Sequence, residues 1–181
     1  MTSRFRAPTL LALVAAAALA ACSQLPSDPL GKGAEAQARL QPTVDSSVHG
    51  HVRFTTQKDG SVRVQGNVQG LAPHSEHGFH VHEKGDCSSP DGMSTGGHFN
   101  PSHTAHGRMG SGHAGDLYSL RADASGAATF DYSTRSITVG HGAADIVGKG
   151  LIVHKDPDDF VSQPTGNAGA RLACAVVTAV K

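Results

Sequence analysis

The chain contains no tryptophan, and aromatic residues make up only 4% of its 181 positions. A core must therefore be built from Val, Leu, Ile, Ala and six Phe. A surplus of one charge is missing too, since 15 basic residues stand against 15 acidic ones. That balance argues against a nucleic-acid binder, which concentrates basic residues on one face. No apolar run reaches the ~20 residues a membrane-crossing helix requires. No stretch holds a helical period over three turns, and the HExxH zinc-protease string does not occur. Disorder is excluded from the other side, because 38% of the residues are apolar. What the chain has in abundance is glycine, with 22 residues, and histidine, with 12. The first suggests many tight turns, and the second makes a metal the first chemistry to test.

The amino terminus carries a signal of its own. Arg4 and Arg6 precede the uncharged run Leu10–Ala21, which has the length of a secretory h-region and is too short to span a membrane. It ends in Leu19-Ala20-Ala21-Cys22, which resembles the lipobox of bacterial lipoproteins. The resemblance implies cleavage before Cys22, lipid on its sulfur and, with Ser23 following, anchorage to the outer membrane of a bacterial envelope. An ordinary cleavable signal is the plainer alternative. Residues 1–21 are thus expected to be a leader, and 22–42 a flexible tether rich in Pro, Gly, Ala and polar residues, compatible with one short helix over Ala34–Leu40. Without the leader the chain carries two more acidic than basic residues. Lipidation of Cys22 would leave Cys87 and Cys174 as one even pair in an oxidising compartment. A bond between them would close most of the domain into a loop, worth roughly 4–5 kcal/mol in the chain-entropy account. Two buried free thiols are the alternative.

From residue 43 onward the apolar pattern has period two. Val48, Val52 and Phe54 alternate with His49, His51 and Arg53, and after the Asp59-Gly60 turn Val62, Val64 and Val68 continue the alternation. Further strands are expected at Leu117–Ala122, Thr129–Tyr132, Ser136–Val139, Leu151–His154 and Leu172–Val180. Many short strands with glycine-rich turns indicate an all-β antiparallel sandwich or barrel. Two stretches, 84–115 and 155–170, read as long loops, and loops of such length in a compact domain are usually functional.

Histidines gather around those loops. His80-Val81-His82 lies in an apparent strand, where alternate residues share a face and two imidazoles can chelate one ion. His98, His103, His106, His113 and Asp116 follow in the first loop, and His154 closes a strand before the second. Five or more His with an acid exceed one four-ligand zinc site, and imidazole suits copper as well as zinc. His49, His51, His74 and His141 read as exposed.

The segments HGFHVHE (77–83), GGHFNP (96–101), His113-Ala114-Gly115-Asp116, IVHKDPDD (152–159) and GNAGARLAC (166–174) resemble copper/zinc superoxide dismutase, in order, over residues 43–181. The signal makes the chain similar to the family's exported bacterial branch. The resemblance implies an eight-stranded Greek-key β-barrel with two long functional loops. It implies one copper, held by His80, His82, His98 and His154, and one zinc, held by His98, His106, His113 and Asp116. His98 would then join the metals, and His106 rather than His103 is the ligand by the family's spacing. Arg171 would attract and orient the anion, Asp158 would link a copper ligand to a zinc ligand, and Cys87–Cys174 would be the internal disulfide. His77 matches a supporting position that does not ligate. The implied activity is dismutation of superoxide, with His98 and Arg171 as its catalytic residues, protecting the cell envelope. A non-enzymatic copper/zinc store or copper-delivery module is the alternative. Expected partners are superoxide and, through Cys22, a lipid membrane, with no nucleic acid. A second copy of the chain is a further candidate, because the family contains both dimers and monomers. The chain departs from animal cytosolic members in a shorter His154–Arg171 segment, a longer Cys87–His98 loop, and Lys155 where an acid is common.

Overall fold

The computed structural model describes residues 33–181, together with Met1. The expected leader, Cys22 and the first part of the tether lie outside the described residues. Among the described residues ten strands follow one another: β1 (Glu35–Pro42), β2 (His49–Thr56), β3 (Val62–Gln69), β4 (Glu76–His77), β5 (Phe79–His82), β6 (Leu120–Arg121), β7 (Ala128–Thr134), β8 (Gly150–His154), β9 (Arg171–Val176) and β10 (Thr178–Ala179). A 3₁₀ turn, Met93–Thr95, interrupts the first long loop.

The main sheet runs in the order β5-β8-β9-β1-β2-β3-β7, with β10 paired to β1, and β4 pairs with β6. Every pairing between strands is antiparallel. Because β4 leads directly into β5 while β6 leads by a tight turn into β7, the two ends of this order meet and the sheet curls into a barrel. The chain crosses from one end of the order to the other between β3 and β5 and again between β7 and β8, the connectivity of a Greek key. The all-β class expected from the strand pattern is the one observed, and so is the eight-stranded barrel that the resemblance implies.

The core follows from alternation. Val52 and Phe54 of β2, with Val62, Val64 and Val68 of β3, are all buried, while Arg53, His51 and Arg63 between them are exposed. Three expectations need correction. The tether does not extend to residue 42: Glu35–Pro42 is strand β1, inserted between β2 and β9, with Ala36, Ala38 and Leu40 buried and Gln37, Arg39 and Gln41 outside. The same segment is not a helix, because its backbone groups are satisfied by three neighbouring strands, β2, β9 and β10. Ser136–Val139 is not a strand either. Ile137 and Val139 are buried, but the segment turns back so that Thr138 pairs only with Asp145. The remaining expected strands form with altered ends: Leu117–Ala122 shortens to β6, and Leu172–Val180 splits into β9 and β10 where Val177 N–H donates to Lys149 O.

Candidate metal centre

Strand β5 organises the site. Its alternation turns Phe79 and Val81 into the barrel and His80 and His82 to the other face, and all four side chains are fully buried. One edge of β5 pairs with β8, which sets His80 beside Ile152 and His82 beside Gly150. The other edge receives the long loop, where two isolated pairings place Asp116 against His80 and His98 against His82. Backbone register therefore delivers two loop residues to the strand that carries two more. His154 enters from the end of β8, where a register irregularity after Val153 sets it opposite Arg171 of β9.

Two groups of ligand-capable side chains result. His80, His82, His98 and His154 offer ligand atoms within 4.8 Å of one another, and so do His98, His106, His113 and Asp116. All seven residues are buried, and His98 belongs to both groups. His103 is exposed and stays outside them. His49, His51, His74 and His141 are exposed as expected.

Hydrogen bonds on the far side of four of the rings fix which nitrogen points inward. His82 Nδ1–H donates to Gly96 O at 2.9 Å and His154 Nδ1–H to Gly169 O at 3.3 Å, so their Nε2 atoms face each other at 3.3 Å. His80 Nε2–H donates to Asp158 Oδ2 at 2.8 Å, and His106 Nε2–H to Asp158 Oδ1 at 2.9 Å. One carboxylate thus orients a ring from each group. His98 directs Nδ1 to the second group, 2.9 Å from Asp116 Oδ1 and 3.5 Å from His113 Nδ1. His77, buried but in neither group, donates from Nδ1 to His154 O at 2.8 Å and so holds the backbone of a ligand.

Three ring nitrogens are left over: His80 Nδ1, His98 Nε2 and His106 Nδ1 are buried without a hydrogen-bond partner. His106 Nδ1 does lie 3.0 Å from Asp116 Oδ2, but outside hydrogen-bonding geometry, as two lone pairs aimed at a common point would be. An unpaired buried polar atom costs about 1–3 kcal/mol. Three such atoms converging on two positions are explained if cations accept their lone pairs, so the donor set fits an imidazole-bound copper in the first group and a His₃Asp zinc in the second. Space is controlled as closely as orientation. Gly166 has φ +64°, and a Cβ there would collide with Asp158 Oδ1 and His106 Nε2.

The electrostatics agree with neutral ligands. Burial, reinforced by neighbouring imidazoles, pushes the pKa values of His80 and His82 well below the ordinary histidine value. Burial lowers that of His154 to about 3, with help from the Arg171 charge. His113 is lowered for the same first reason. For Asp116, burial acts to raise the value, but hydrogen bonds from His98, Gly107 and His113 outweigh it and keep the carboxylate ionised.

Arg171 is half-buried beside the first group. Its Nη1 donates to Gly92 O at 2.8 Å and Thr95 Oγ1 at 2.6 Å, and its Nη2 to Gly96 O at 2.7 Å. These anchors all belong to the loop that the Cys87–Cys174 disulfide ties to β9. The sequence reading missed Thr95 and the carbonyls of Gly92, Gly96 and Gly169, because a backbone acceptor carries no residue-type signal. It also passed over Gly92-Met93-Ser94-Thr95-Gly96, which fits the GxSxG string of serine hydrolases. Ser94 Oγ donates to Asp86 O and has no imidazole partner among the described residues, so the match has no nucleophile.

Comparison with known proteins agrees with this geometry. The family described as copper/zinc superoxide dismutase (SODC) matches residues 48–177. The chain is 39% identical over 143 residues to a protein named superoxide dismutase [Cu-Zn] from Paramecium bursaria Chlorella virus 1, covering 74% of each. A solved structure described as the clock protein EA4 superposes with a TM-score of 0.72 at 38% identity, covering 81% of this chain and 94% of that one.

Proposed function

Since this chain belongs to the copper/zinc superoxide dismutase family and carries both of its metal sites, we propose that Arg171 docks the substrate and that the reaction takes place in a bacterial envelope. The activity is dismutation of superoxide to dioxygen and hydrogen peroxide, and the single observation that carries it is His98. Its Nδ1 lies in the group with Asp116 and His113, while its buried Nε2, unpartnered, faces the group with His80, His82 and His154.

When bound, copper supplies the one-electron couple that takes an electron from one superoxide and returns it to a second, which leaves as peroxide after gaining two protons. The chain's own residues do the rest. His98 Nε2 is the nitrogen able to hold one of those protons, and the contacts of Nδ1 keep the ring in place while it does so. His80 and His106 are kept in orientation through Asp158. Arg171 presents a fixed positive charge to a small anion, and a guanidinium cannot be discharged at working pH. With no basic surplus over the whole chain, attraction has to come from this local charge.

The envelope reading is supported by Leu19-Ala20-Ala21-Cys22 and by a disulfide suited to an oxidising compartment. Lipid on Cys22 would hold the barrel to the membrane, with 23–34 as its tether. The decisive experiment follows superoxide decay by chain loaded with one copper and one zinc, against a zinc-only preparation. Fast, copper-dependent decay that slows with salt is expected. Tight copper binding without acceleration would identify a copper store or delivery module instead. Mass spectrometry of the processed amino terminus, with Cys22→Ser as control, tests the anchor. An unmodified Cys22 in the membrane fraction would refute it.

A further inference from the structure

Thr95 lies at the end of the 3₁₀ turn and is fully buried. Its methyl sits against Gly150, where an added Cβ would come within 2.9 Å of Cγ2. Thr95 Oγ1 donates to Gly92 O at 2.9 Å, and because a hydroxyl has a single hydrogen, the contact with Arg171 Nη1 at 2.6 Å must be one in which Thr95 accepts. The hydroxyl is therefore polarised toward the guanidinium.

A guanidinium has five N–H donors. Nη1 has two hydrogens, one for Gly92 O and one for Thr95 Oγ1, and Nη2 gives one to Gly96 O. Among the described residues, the Nε hydrogen and one Nη2 hydrogen remain. Without the Thr95 acceptor, Nη1 would hold a free hydrogen as well, and the plane of the guanidinium would be fixed by two carbonyls alone. We propose that Thr95 is a positioning residue: by accepting the second Nη1 hydrogen it locks the Arg171 guanidinium plane and leaves Nε–H and Nη2–H as the donor pair that meets the anion. The inference rests on Arg171 docking the substrate.

The test uses azide as a probe anion, titrated spectroscopically on the copper- and zinc-loaded chain. Thr95→Val keeps the shape and removes the hydroxyl, and Thr95→Ser keeps the hydroxyl. Azide affinity should fall about three- to tenfold in Thr95→Val and stay within about twofold of the parent in Thr95→Ser. The KM for superoxide should rise with the same pattern. In an Arg171→Gln background, Thr95→Val should produce no further loss. A second readout needs no copper. In the zinc-only chain, a dicarbonyl reagent should modify Arg171 several-fold faster in Thr95→Val than in the parent or Thr95→Ser, read by the mass of the Arg171 peptide.

Unchanged azide affinity and unchanged reagent rate in Thr95→Val would overturn the proposal, as would a further loss in the Arg171→Gln background. Should the Val chain not fold, Thr95→Ala against Thr95→Ser makes the same comparison. If Arg171→Gln by itself leaves azide affinity intact, the docking role of Arg171 fails rather than the role of Thr95.

Discussion

A buried imidazole nitrogen without a partner is unfavourable, and His80, His98 and His106 each leave one in that state. Two of the rings are nonetheless not free to turn away, because Asp158 holds His80 and His106 by their opposite nitrogens. The orientation of these two rings is thus enforced from outside the metal positions, whereas His98 meets Asp116 within the second group. Asp158→Ala removes both anchors at once, so the affinity for copper and for zinc should each fall about 10- to 100-fold, measured by competition with chelators of known affinity. Loss at only one metal would show that the carboxylate acts on one ring. His154→Ala should behave differently, since His154 belongs to the first group alone. Turnover should vanish while about one zinc per chain remains, as read by metal analysis beside superoxide decay. His106 and His103 show how far residue type goes. They lie three positions apart in one loop, yet one is buried against Asp158 and the other is exposed.

At the scale of the element, strands place ligands by register and loops place them by attachment. The period of two in His80-Val81-His82 was legible because alternation is local. The pairing of Asp116 with His80 and of His98 with His82 was not, because it depends on where a long loop returns. That loop is fastened by the Cys87–Cys174 bond, by Arg171 on Gly92 and Gly96, and by Val44 N–H donating to Pro90 O. Cys87→Ser should lower unfolding stability by about 2–5 kcal/mol, visible in the urea midpoint under non-reducing conditions. It should also loosen the carbonyls that hold Arg171, so the KM for superoxide should rise more than kcat falls. Strand β1 went unread for a different reason. Its inward residues Ala36 and Ala38 are weak apolar markers beside Gln, Arg and Pro, and only pairing with β2, β9 and β10 makes the segment a strand.

Over the whole molecule, the metal centre sets how stability responds to acid. In the metal-free chain, His80, His82 and His154 have pKa values depressed by burial, the last to about 3, whereas in the unfolded chain they titrate near 6.5. Below about pH 6.5 the unfolded state therefore binds more protons than the folded one. Stability is full above that pH and falls as the pH drops toward 3, by at most about 1.4 kcal/mol per unit for each imidazole. Urea midpoints of the metal-free chain at pH 7.5, 5.5 and 4.5 should fall in that order. A midpoint that does not change across this range would contradict the depressed values. Bound metal competes with the same protons, so the loaded chain should hold its midpoint to lower pH until the ligands protonate and release it.

The sequence by itself determined the β class, the residue types of both ligand groups and the bond between Cys87 and Cys174 as one pairing to expect, because alternation, ligand chemistry and motif order are properties of the chain alone. Only the tertiary structure decided that residues 35–42 belong to the barrel, that Ser136–Val139 does not form a strand, and that Thr95 and three backbone carbonyls hold Arg171 and the ligand rings. Burial of a weakly apolar strand and choice of a backbone acceptor depend on which distant segment arrives beside them. That is fixed by closure of the barrel, and no local pattern encodes it.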